Sequence, residues 1–159
     1  MNHHDTRLAT DHTARPTRQF TVLLSSTRRG ARLARLLAVQ QLIDWDTPFE
    51  AAAQVVAELA SNAALHGRVA GRDFRLTLTL RDRPDDVLGD ARALRIAVTD
   101  ARGESRPHPA PAPAGVPDAE SGRGLLLVAS YADRWGVQDG PGPCKTVWAE
   151  LDSPAPTGG

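Results

Sequence analysis

The sequence predicts an α+β domain: a two-layer sandwich with helices on one face of a mixed, mostly antiparallel sheet. Three observations carry that expectation. FRLTLTLRD and LRIAVTD alternate apolar and polar residues strictly, as strands with one buried face do. Phe49, Ala52, Ala53, Val56, Leu59, Ala60 and Ala63 recur at the i, i+3, i+4 spacing of a core-facing helix. The elements also run strand, two helices, two strands, loop, helix, two strands, an order that gathers the helices on one side.

Each element has its own local reason. QFTVLLSS (Gln19–Ser26) sets Phe20, Val22 and Leu24 at alternate positions, a short strand. Ser26 or Thr27 can cap the helix that follows, Arg28 to about Asp44, which carries Leu33, Leu36, Leu37 and Ile43 on one side. DWDTP breaks it, and Thr47-Pro48 has the cap-then-proline form of a second helix start. That helix runs to His66, with Gly67 as its terminator. GRVAGRD is a turn-rich connection to the first alternating strand. RPDDVLGDAR then separates this strand from Leu94–Asp100, the two pairing as an antiparallel hairpin. A glycine pair precedes a short helix from about Leu125 to Ala132. Strands around Trp135–Val137 and over Lys145–Leu151 close the domain across the turn-forming DGPGP.

Composition bounds the function. The 159 residues suffice for about one domain, and 41 % hydrophobic content suffices for a core. Nineteen basic and nineteen acidic side chains cancel, so no global field favours direct nucleic-acid or membrane binding. The one cysteine, Cys144, has no internal disulfide partner, and no Cys/His spacing suggests a zinc site. Without a long apolar run or a charged leader, the expectation is a cytoplasmic protein. Residues 1–16 and 153–159 read as disordered tails around a domain over 17–152.

Three short stretches could carry chemistry. In ELASNAALHG, Glu58, Asn62 and His66 recur every four positions and stack on one helix face. This row is either a solvated face or the wall of a site. A glutamate in a cleft can serve as a general base, and an asparagine amide oxygen suits Mg²⁺. His66 reads as a structural residue at the helix end. Asp100 ends a strand at the sheet rim, where a carboxylate could accept a hydrogen bond from a base's amino group; it could equally be a turn residue. Gly122-Arg123-Gly124 is either a flexible turn or a phosphate cradle at a helix start, with Arg123 adding a positive fork. Ahead of it, Ala101 to Gly122 holds Pro107, Pro109, Pro111, Pro113 and Pro117 and has almost nothing to bury.

The fixed order of these pieces resembles the GHKL (histidine kinase-like) ATPase family, and within it the stand-alone anti-sigma-factor serine kinase subgroup of Gram-positive bacteria. The resemblance covers roughly Phe20 to Leu151. ELASNAALHG resembles the family's N box, GRGLLLVASYADRWGV its second glycine box, and IAVTDARG a degraded first glycine box, Asp100-Ala-Arg-Gly103-Glu104 standing where Asp-x-Gly-x-Gly is usual. The resemblance implies a Bergerat-type ATP-binding fold with ATP and Mg²⁺ as cofactors. Asn62 would hold the metal, Glu58 would activate the attacking hydroxyl and Asp100 would read the adenine amino group. Thr146 would support Asp100 through water, and Gly103 belongs to the adenine-side glycine box. Gly122, Arg123, Gly124 and the amide of Leu125 would wrap the phosphates, with about 101–122 as the ATP lid.

The implied activity is sequestration of a sigma factor and phosphorylation of a STAS-type antagonist on serine. The implied assembly is a homodimer, with the first helix and the face around it as the dimer surface. The alternative is a non-catalytic protein-binding module of the same fold, which the degraded glycine box favours. A sensor histidine kinase core would need a phosphoacceptor histidine on an upstream helix, and His3, His4 and His12 sit in a stretch without helical pattern.

Overall fold

The computed structural model describes residues 17–66, 73–83, 91–100, 118–140 and 144–154, with backbone alone for His66 and for 118–123. Among them lie five strands and three helices: β1 (Arg18–Ser25), α1 (Arg28–Asp44), α2 (Glu50–His66), β2 (Asp73–Arg83), β3 (Ala91–Asp100), α3 (Asp118–Tyr131), β4 (Arg134–Asp139) and β5 (Lys145–Pro154). The strands form one sheet in the order β1-β2-β3-β5-β4. Every pairing is antiparallel, so the expected mixed sheet is wholly antiparallel.

Strand alternation decides the two faces. Phe74, Leu76, Leu78 and Leu80 on β2 point to the helices, as do Leu94, Ile96 and Val98 on β3, and all are buried. Ala149 of β5 and Leu24 of β1 continue this floor. The central helix α2 lies on it through Ala52, Val55, Val56, Leu59, Ala60 and Ala63. It packs against α1 on one side and α3 on the other.

Helix α1 corrects the apolar side expected from sequence. Its buried residues are Gly30, Ala31, Ala34, Ala38 and Leu42; of the expected stripe Leu37 packs partly buried against the core, while Leu33, Leu36 and Ile43 are exposed. Small side chains let α1 approach α2 closely, so the alanine stripe wins the core over the bulkier leucines. Thr27 is the N-cap, its hydroxyl accepting from the Gly30 N–H at 3.0 Å. Thr47 does not cap α2. Its hydroxyl donates to the Trp45 carbonyl and accepts from Arg92, and the helix starts at Glu50 instead.

Arg92 is a buried charge, 5 % exposed. Its guanidinium donates to the carbonyls of Trp45 and Asp46 at 3.3 Å and to the Thr47 hydroxyl at 3.2 Å. Asp46 has a positive φ of 56°, so its carbonyl is turned by an unusual backbone that Arg92 secures. The inner face of β3 therefore reads Arg92, Leu94, Ile96, Val98, Asp100: an apolar stripe with an anchor at one end and a carboxylate at the other.

The outer face of the sheet is polar. Arg134 donates to Asp152 at 2.6 Å and to Glu150 at 2.8 Å. The Arg134 hydrogen bond holds the Asp152 carboxyl below its ordinary range, and the Asp152 and Glu150 bonds push the Arg134 guanidinium up. Arg95 stacks 4.7 Å above the Trp148 ring. β5 runs to Pro154, past the expected domain end at 152.

Gly30 shows how tightly α1 meets β1. A Cβ at this position would lie 1.9 Å from the Ser25 carbonyl oxygen, a backbone atom that cannot swing away. Alanine normally gains about 1 kcal/mol over glycine inside a helix. Here Gly30→Ala is expected to lose about 1–3 kcal/mol instead, from overpacking. Urea unfolding checks the sign, and a stabilised variant would contradict this packing.

Candidate functional site

The site begins with the polar row on α2. Glu58 and Asn62 are both half-buried, and the side chain of His66, the third residue of the row, lies outside the described residues. The residue that covers them is Gly124 of α3, itself buried. A Cβ at Gly124 would lie 3.1 Å from Glu58 Oε1 and 3.8 Å from both Asn62 Oδ1 and Nδ2. The backbone of α3 thus passes directly over the carboxylate and the amide, and the missing side chain makes that approach possible. Behind them α2 buries Leu59 and Ala63 in the core, which fixes where the row points.

Asp100 ends β3 on the helix-covered face and is 9 % exposed. Its register partner is Lys145 at the start of β5. Residues of a directly opposed pair share a face, so Lys145 stands beside Asp100. Lys145 was not singled out from the sequence; the signal was its place one position before Thr146. Thr146 lies on the other face of the sheet. Its hydroxyl is 2.7 Å from that of Thr99, the residue it opposes, and so the structure does not bring it to the Asp100 side.

The glycine-rich stretch needs a correction. Helix α3 starts at Asp118 rather than near Leu125, so Gly122, Arg123 and Gly124 lie inside a helix instead of opening it. The physical reason was readable: Pro117-Asp118-Ala119-Glu120 is itself a helix start, with proline ahead and acids in the first turn. Val128 of the same helix is fully buried and ties α3 to the core. Leu125 is half-buried. Gly103 and most of the proline-rich stretch fall outside the described residues, as does the expected lid up to residue 117.

The structure therefore brings Glu58, Asn62 and Gly124 together and sets Asp100 on the same side of the sheet. Chemically this group offers hard oxygen donors, a proton acceptor and a close backbone, which fit a metal-bound phosphate ester. Among the described residues no cluster of three or more His, Cys, Asp or Glu could hold a metal. No described helix is long and apolar enough to cross a membrane.

No curated protein matches the chain. The model of the histidine kinase-like ATPase domain matches residues 16–151, from ahead of β1 through Leu151 of β5. Such a domain implies ATP binding. The chain belongs to the histidine kinase-like ATPase domain family.

Proposed function

We propose that this protein is an ATP–Mg²⁺-dependent regulator of the anti-sigma-factor kinase type, which sequesters a sigma factor and phosphorylates a STAS-type antagonist on serine. The observation that supports it is the approach of Gly124 to Glu58 and Asn62, which leaves a carboxylate and an amide facing one helix backbone. Phosphoryl transfer asks mainly for positioning and charge stabilisation, and this group supplies both. In this reading the protein works as a cytoplasmic homodimer.

Each residue has a role in this scheme. The Asn62 amide oxygen is the protein's donor to Mg²⁺, which neutralises phosphate charge when bound. Glu58 takes the proton of the attacking serine hydroxyl as the new phosphate ester forms and ADP departs. Asp100 accepts a hydrogen bond from the adenine amino group. For Gly122, Arg123, Gly124 and Leu125 to wrap phosphates with free N–H groups, the first two turns of α3 must open. Each glycine lowers helix stability by about 1 kcal/mol, so these turns are the weakest part of that helix.

A non-catalytic, protein-binding use of the same fold is the second reading. The departures at Arg102 and Glu104 from the usual glycine box favour it. Transfer of labelled phosphate from ATP to an antagonist separates the two readings.

Three variants test the site. Asn62→Ala is expected to abolish Mg²⁺-dependent ATP binding while the unfolding midpoint stays near that of the parent; titration calorimetry reads this, and unchanged affinity would remove Asn62 from the site. Glu58→Gln should keep nucleotide affinity and lose transfer by about 10²–10⁴-fold. If transfer survives, the base lies elsewhere. Gly124→Val fills the space above both side chains, and at least about a tenfold weaker ATP affinity is expected. Equal affinity would show that nucleotide does not use this approach.

A further inference from the structure

Strand β4 is an edge whose apolar side the helix layer does not cover. The sheet order ends on it, and β5 is its one strand neighbour among the described residues. Alternate N–H and C=O groups of an edge strand point away from the sheet without a ladder partner. Trp135 opposes Ala149 and Val137 opposes Val147, so both side chains belong to the helix-covered face. Ala149 is fully buried, yet Trp135 is 39 % exposed and Val137 is 50 % exposed. Tyr131, which ends α3 just before this strand, is exposed as well. The opposite edge differs. There Phe20 and Val22 of β1 pack against the core and Leu24 is buried in it.

Proteins usually guard such an edge with lysine, proline or a bulge. β4 has none of these. It reads Arg-Trp-Gly-Val-Gln-Asp and keeps unbroken register with β5 from Arg134 opposite Glu150 to Asp139 opposite Lys145. Its other face is cationic. Arg81, Arg83, Arg95 and Arg134 share two carboxylates, Glu150 and Asp152, so positive charge is in excess there, and Arg134 is its member on the edge strand. Beside it on this face the Trp148 indole lies against Gly136. A Cβ at Gly136 would be 2.9 Å from Cζ2 and 3.1 Å from Nε1 of that ring.

We infer that β4 takes an extended segment of a partner protein as a sixth, antiparallel strand, whose residues run polar, apolar, small, apolar, acidic from the one opposite Gln138 to the one opposite Arg134. Directly opposed residues share a face. The two apolar residues therefore cover Val137 and Trp135, the small one clears Trp148, and the acid joins the arginine-rich network at Arg134. The antiparallel sense follows the rest of the sheet, in which every pairing is antiparallel. In strand addition the main-chain hydrogen bonds supply affinity and alternate side chains supply specificity. A second copy of the chain fits poorly. Antiparallel pairing centred on Gly136, the register that matches Trp135 to Val137, sets Asp133 opposite Asp139, and like charges directly opposed are destabilising. The inference stands on the edge itself and needs no nucleotide.

The test uses the full chain without ATP and a fluorescein-labelled peptide of about ten residues, with threonine, valine, alanine, isoleucine and glutamate in that order at its centre. Anisotropy should show saturable binding. A scrambled peptide of the same composition should bind about tenfold more weakly or worse, and so should a twin with lysine in place of glutamate. Bound peptide should slow amide hydrogen exchange over Arg134–Asp139 and leave α1 unchanged. Val137→Lys, at an exposed position, should weaken binding by about tenfold or more. The exchange measurement uses the parent chain and decides the matter if that variant does not fold. Absence of saturable binding, equal binding of the scrambled peptide, protection away from β4, or protection of β4 by self-association without peptide would overturn the assignment.

Discussion

Everything about the site depends on one close approach, the backbone of α3 lying over Glu58 and Asn62 at Gly124. A Cβ at that position would crowd the Glu58 carboxylate at 3.1 Å, so the carboxylate would have to give by a few tenths of an ångström. Because the approach is close, a carboxylate and an amide that could have faced water face a helix instead. Their half-burial is the physical difference between a solvated stripe and a wall of a cleft. A half-buried acid and amide offer little to stability, since burying polar groups without full compensation costs free energy.

Helix α2 makes the approach possible because its surface is divided into sectors. One sector of Val55, Val56, Leu59 and Ala60 sits on the sheet, and alanines on a second let α1 come near. The sector toward α3 carries the polar row. The sheet beneath is equally partitioned. On β3, Arg92 secures the turn between α1 and α2, three apolar residues make the floor, and Asp100 ends the stripe near the rim. One end of the strand thus holds the helix pair in place through Arg92, and Asp100 closes the stripe at the other end.

Much of this was readable from residue order alone. Period-two alternation located the inner faces of β1, β2 and β3, because a pleated strand gives neighbours no choice of side. The stripe on α2 was readable for the same reason at helical period. The failures have physical causes as well. On α1 leucine and alanine each make an apolar stripe, and packing distance chose alanine, a decision that needs the neighbouring helix to be known. Thr47 looked like a cap but was claimed by Arg92, forty-five positions away. Gly122 and Gly124 suggested an open turn, while the acids upstream were strong enough to start the helix earlier. The approach of Gly124 to α2 has no local signal, since it joins residues from distant parts of the chain.

The most direct test of the central claim is a crystal structure of the protein with Mg²⁺ and a non-hydrolysable ATP analogue. The account predicts the triphosphate between α2 and α3, the metal against the Asn62 amide oxygen, and the adenine amino group at Asp100. A nucleotide bound on another surface, or bound here with Asn62 and Glu58 remote from the phosphates, would contradict it.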